Sequence, residues 1–147
     1  MLRAPGTIAT LLLAAIAACT GCVQEDNGFA YTCMPGGGMF DGISCEVPLT
    51  RNFLLWYPED GDGPGIHETI DGLEGHAEVI PGTGKTQIRK VGFDSNWLVA
   101  GDSNDGWYVV DLRGAERGAI VGPLSLEELR VRFPSLPPTR DVPTPRR

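Results

Sequence analysis

The sequence predicts a small α+β domain: a twisted antiparallel sheet of about five strands with one C-terminal helix. Three observations point there. Short apolar runs recur between clusters of Gly, Pro and Asp, the pattern of a strand meander. One segment near the C-terminus carries a complete helix start signal. The 147 residues, with 20 Gly and 12 Pro, suit one loop-rich domain and exclude a propeller, a TIM barrel or a solenoid.

The chain opens with a single positive charge, Arg3, followed by an apolar or small stretch over residues 7–18. A helix of that length spans about 18 Å, well short of the ~30 Å of a bilayer core. The stretch therefore reads as a cleavable export signal and not as a membrane anchor. Ile16-Ala17-Ala18-Cys19 resembles the lipobox of bacterial lipoproteins, with an aliphatic residue and two small residues before a Cys. The resemblance implies that Cys19 becomes the acylated N-terminus, and two or three acyl chains anchor stably where one is marginal. Thr20-Gly21-Cys22 is a rival position, but its third upstream residue is Cys19, not an aliphatic one. Parity favours Cys22, because discarding Cys19 leaves the even pair Cys33 and Cys45. The aliphatic position favours Cys19. Thr20 follows Cys19, where the family's sorting rule puts Asp for inner-membrane retention, so the resemblance implies the outer membrane, facing the periplasm.

Residues 19–49 read as an acylated tether. Pro35 and Gly36-Gly37-Gly38 argue against a helix or a long strand there. Cys33 and Cys45 enclose this run, and export to an oxidising compartment makes a disulfide between them the expectation.

The folded domain is expected over residues 50–133. Phe53-Leu54-Leu55-Trp56-Tyr57, ended by Pro58, suits a buried strand. A turn-rich loop follows over residues 59–65. Further strands are expected at residues 77–80, 87–91, 97–100, 107–110 and 119–121. Asp105-Gly106 supplies the positive φ angles of a hairpin turn between two of them. For the helix, Ser125 is the N-cap and Glu128 completes a capping box, while Leu124 and Leu129 form a hydrophobic staple. Leu126, Leu129 and Phe133 recur at helical spacing, and Pro134 ends the run. Residues 134–147 hold too much Pro and too little apolar content to pack, and read as a disordered tail.

The net charge of −7 lacks the electrostatic footprint of a nucleic-acid binder. Pro81-Gly82-Thr83-Gly84-Lys85-Thr86 superficially suggests a phosphate loop, but Val79 occupies the required first Gly, and a strand pattern follows where a helix should. Asp60, Asp62 and Gly65 imitate three positions of a Ca²⁺ loop, with Pro64 and Asp71 at two others where ligands are normal. His67 and His76, with Glu68, Asp71 and Glu74 between them, match no zinc spacing and read as surface residues of an acidic loop. There is no G-x-S-x-G elbow or Cys–His context for covalent catalysis. No cofactor, metal ligand set or catalytic residue is assigned. Trp97, Trp107 and Tyr108 lie on facing hairpin strands, where core packing and a platform for peptide or glycan both stay open.

Two further resemblances concern the C-terminal half. Val91-Gly92-Phe93-Asp94, Trp97, Trp107-Tyr108-Val109-Val110-Asp111 and Gly122-Pro123-Leu124 resemble a family of small bacterial lipoproteins of unknown function. Trp107-Tyr108 with Gly122-Pro123-Leu124-Ser125-Leu126-Glu127-Glu128-Leu129 resembles part of bacterial GYF-type domains. Such domains dock proline-rich segments on aromatic side chains, and this chain's own Pro-rich tail is an obvious ligand. The expectation is a lipid-anchored envelope protein with a structural or interaction role and an envelope protein partner. A proline-peptide binder and a weak metal- or Ca²⁺-binding protein are the alternatives.

Overall fold

The computed structural model describes residues 23–35, 42–59, 63–70, 75–80, 86–116 and 118–146. Within them, six strands run in chain order across one antiparallel sheet: β1 (Val23–Asp26), β2 (Phe29–Pro35), β3 (Ile43–Pro48), β4 (Phe53–Tyr57), β5 (Gly65–Thr69) and β6 (His76–Ile80). A second antiparallel sheet holds β7 (Ile88–Phe93), β8 (Trp97–Asp102), β9 (Trp107–Asp111), β10 (Ile120–Leu124) and β11 (Arg140–Asp141), in the order β10-β9-β8-β7-β11. One helix, α1 (Leu126–Arg132), follows β10. The α+β expectation, with a sheet of about five strands, is therefore corrected. The described residues are mostly β, built into two sheets, and the one helix among them has only 7 residues.

Alternation along the strands explains the layering. Phe53, Leu55 and Tyr57 of β4 join Val47, Ile66 and Ile80 in one buried cluster, and the second sheet adds Ile88, Val91, Leu98, Ala100 and Val110. Side chains of the two sheets thus share a core, as in a β-sandwich. The other face of the second sheet is covered as well. Val99 and Val109 pack with Leu124 and Leu129, flanked by Trp97, Trp107, Phe133 and Leu136. This two-sided burial explains why Leu98, Val99 and Ala100 in β8 are all buried. A strand covered on both faces reads as a continuous apolar run and loses its alternation.

Both ends of the chain depart from expectation. The segment read as a tether contributes β1, β2 and β3 to the six-stranded sheet. Asn27 and Gly28 take positive φ angles of 51° and 74°, the backbone of a tight two-residue hairpin, and Asp26 pairs with Phe29 across it. The loop expected over residues 59–65 ends in β5, which pairs with β4 and β6.

The segment read as a disordered tail is a strap. Arg140 and Asp141 pair with Val91 and Lys90 of β7, and Val142 N–H donates to the Arg89 carbonyl at 3.0 Å. Pro143 is fully buried, and its carbonyl accepts from the Tyr57 hydroxyl of β4 at 2.6 Å. Thr144 N–H donates to the Asp26 carboxylate at 2.9 Å, and the Arg140 guanidinium sits 4.1 Å from the centre of the Phe29 ring. Upstream, the strap crosses β7 so closely that a Cβ on Gly92 would meet the Pro138 carbonyl oxygen at 2.5 Å. The tail thus ties the β7 edge of one sheet to β1, β2 and β4 of the other. Low apolar content misleads here, because backbone pairing and one buried Pro hold the segment.

Candidate functional site

The helix side of the second sheet follows the sequence closely. Ser125 caps α1, its hydroxyl accepting from Glu128 N–H at 3.2 Å while Glu128 Oε2 accepts from Ser125 N–H at 2.8 Å. These bonds hold the Glu128 carboxyl below its ordinary pKa. Leu129 is 6% exposed and packs with Leu124, whereas Leu126 is exposed. Phe133, the C-cap, lies edge-on to Trp97 at 5.7 Å. Arg113 sits 4.5 Å from the Trp97 ring centre and is held there by its ion pair with Asp111. Between α1 and the sheet runs a groove of about 380 Å³ lined by Val99, Trp107, Leu129 and Phe133, with Pro137 and Pro138 of the strap on its wall.

The three aromatic residues, for which the sequence leaves core packing and a ligand platform open, divide between the two faces of the sheet. Trp97 opposes Asp111 and Trp107 opposes Gly101, with the Val99–Val109 pair between them. Both indoles face the helix. Tyr108 packs on the opposite side, against the core shared with the first sheet. Its hydroxyl donates to Asp102 Oδ2 at 3.3 Å, and burial, then the Asp102 charge and that hydrogen bond, raise its pKa. Asp102 Oδ1 also accepts from Asn104 and Gly106 N–H at 2.8 Å each, which fixes the β8–β9 turn. Tyr108 is therefore a core and turn residue.

A cluster that the sequence reading places on an acidic surface loop lies instead on the outer face of the first sheet. His67 is in β5 and His76 in β6. His67 pairs in register with Glu78, so His76, two residues along, is its diagonal neighbour. The two Nδ1 atoms are 2.8 Å apart and the rings meet edge-on at 4.7 Å. Trp56 of β4 stands 5.0 Å from the His67 ring and 5.1 Å from the His76 ring. On the far side of His76, Nε2 lies 3.7 Å from Glu46 Oε1 of β3. His67 is only 7% exposed. Burial, then the neighbouring His76 charge, lowers its pKa to about 4. It is a neutral imidazole at physiological pH. Of the overlooked members, Trp56 was legible in the alternation of β4, which turns Leu54 and Trp56 away from the Phe53–Leu55–Tyr57 face, whereas Glu46 lies on β3, a strand in the segment read as a tether.

The remaining assignments divide cleanly. Cys33 and Cys45 oppose each other on β2 and β3 and form a disulfide. Cys19, Cys22, Asp60, Asp62, Asp71, Glu74 and the turn at residues 81–85 lie outside the described residues. Among the described residues, no group of three His, Cys, Asp or Glu is placed to hold a metal ion, and no helix is long and apolar enough to cross a membrane. Comparison with protein-family models, curated proteins and solved structures finds no match to this chain, so the resemblances above rest on the quoted residues alone.

Proposed function

We propose that this chain is an exported lipoprotein of the bacterial envelope, anchored through acylated Cys19, whose two-sheet domain serves a structural or interaction role and not a catalytic one. The observation that carries the reading is Ile16-Ala17-Ala18-Cys19 behind an apolar stretch too short to span a bilayer. The Cys33–Cys45 disulfide supports export, because such bonds persist in oxidising compartments. Thr20 after the acylated Cys supports the outer membrane, with the domain in the periplasm. Growth with a fatty-acid analogue tests this: the wild-type chain takes up label and Cys19→Ala does not. Label retained in Cys19→Ala but lost in Cys22→Ala moves the anchor by three residues. Label unaffected by either substitution removes the lipoprotein reading.

One observation favours a second reading, recognition of proline-rich peptide. The groove lined by Trp107, Leu129 and Phe133 carries Pro137 and Pro138 of the same chain on its wall, so the tail acts as an internal ligand. A Pro-rich peptide added to a Leu136→Ala chain, in which the tail is loosened, shifts the Trp emission. An unchanged spectrum removes this reading.

A further inference from the structure

We propose that His67 and His76 together chelate one divalent transition-metal ion of the Cu²⁺ type on the outer face of the six-stranded sheet. This site is independent of the lipid anchor.

Four features carry the inference. The first is separation. Two nitrogen ligands at about 2.0 Å from a metal are about 2.8 Å apart when they subtend a right angle, and about 3.3 Å apart at a tetrahedral angle. The 2.8 Å between the Nδ1 atoms fits adjacent corners of a square plane, the geometry of Cu²⁺ and Ni²⁺, better than it fits tetrahedral Zn²⁺. The second is rigidity. The rings project from paired neighbouring strands, so the two ligands are held in place before the ion arrives.

The third is protonation. Only one proton fits between two Nδ1 atoms at this distance, so one ring donates and the other accepts. Glu46, 3.7 Å from His76 Nε2, favours the tautomer with the proton on Nε2. That leaves His76 Nδ1 as the acceptor and His67 Nδ1–H as the donor. At 3.7 Å the two groups are beyond hydrogen-bond reach, so Glu46 acts on His76 through its charge. When metal binds, the His67 proton moves from Nδ1 to Nε2. Both rings then present an Nδ1 lone pair and stay neutral, and no proton is released. The fourth is charge. Glu46 and Glu78 lie on the same face as the pair, and a dication is favoured beside them. The protein supplies two ligands here, and water completes the coordination.

The test is titration of the full chain with CuSO₄ at pH 7, with Cys19→Ser and Cys22→Ser in every sample so that no thiolate competes. One equivalent of Cu²⁺ binds and quenches Trp56 emission, and Ni²⁺ and Zn²⁺ bind at least about tenfold more weakly. His67→Gln and His76→Gln each abolish the one-equivalent phase. Glu46→Gln, a positioning change, weakens it about tenfold. Pulsed electron paramagnetic resonance on the unsubstituted histidine pair needs no variant to fold, and it detects two imidazole nitrogens on the copper. Fewer than two coordinated imidazoles, no saturable equivalent, or wild-type affinity retained in either histidine variant overturns the proposal.

Discussion

Replacing Tyr57 by Phe removes one hydroxyl and tests whether the C-terminal strap closes the two sheets. That hydroxyl donates to the Pro143 carbonyl at 2.6 Å, and Pro143 is fully buried. The Phe ring keeps the packing of Tyr57 against the core, so the perturbation is confined to the hydroxyl. A buried carbonyl left without its donor costs about 1–3 kcal/mol. For a domain of this size each kcal/mol shifts the melting temperature by roughly 3–5 °C. Tyr57→Phe should therefore melt several degrees below the wild type, with an unchanged denaturant m-value. Deleting residues 139–147 should go further. It also removes the burial of Pro143, worth about 1.5–2 kcal/mol, the β11 pairing with β7 and the Thr144–Asp26 bond. The combined loss is about 3–5 kcal/mol, a large share of a typical domain's 5–15 kcal/mol. Equilibrium unfolding in urea, followed by Trp emission, measures both. If Tyr57→Phe and the deletion both unfold at the wild-type midpoint, the strap does not clasp the sheets.

Other predictions follow from the same contacts. Leu129→Ala should cost about 2–5 kcal/mol because the side chain is buried against the second sheet, and Ser125→Ala about 1 kcal/mol through loss of the cap; thermal melts that rank them equally contradict the packing of α1. Reducing the Cys33–Cys45 bond should lower stability by about 3 kcal/mol, read as a shift of the urea midpoint with and without reductant. His67 contributes a pH dependence of defined sign. Its pKa is about 4 in the folded state against an ordinary 6.5, so the unfolded chain binds the proton more tightly. Its stabilising effect is complete above pH 6.5 and fades as pH falls toward 4, by up to about 3 kcal/mol. His67→Gln should flatten that part of the profile, and an unchanged profile contradicts a buried neutral imidazole.

How far the fold is legible in the sequence depends on whether the decisive contact is local. The capping box at Ser125 and Glu128 and the hairpin between β8 and β9 are local, and the structure contains both, although of Asp105-Gly106 only Asp105 takes a positive φ, 61°. So is the run Phe53–Tyr57, which forms β4 with those bounds. Asn27-Gly28 is an equally local signal, the strongest short hairpin dipeptide. Pro35 and the three glycines after it outweigh it in a reading by composition, although strand breakers at 35–38 say nothing of residues 23–34. The α+β expectation overweights one well-signalled helix against several strands that bury only alternate residues. Contacts between distant segments leave no local pattern. Nothing in residues 134–147 points to Tyr57, Asp26 or Phe29, more than 80 positions upstream. The histidine pair is intermediate. A spacing of nine means nothing on a helix, yet across the β5–β6 hairpin it makes the two rings diagonal neighbours. Trp97 and Trp107 share a face as alternation requires, and the same rule sends Tyr108 to the other side.

The anchor is tested most directly by the intact mass of the protein extracted from the membrane fraction, with fragmentation of its first peptide. The account predicts a chain that begins at Cys19, carries acyl groups on that residue, and is two hydrogens lighter than its reduced form because Cys33 is joined to Cys45. A full-length, unacylated chain in the soluble fraction, with Cys33 and Cys45 as free thiols, would contradict it.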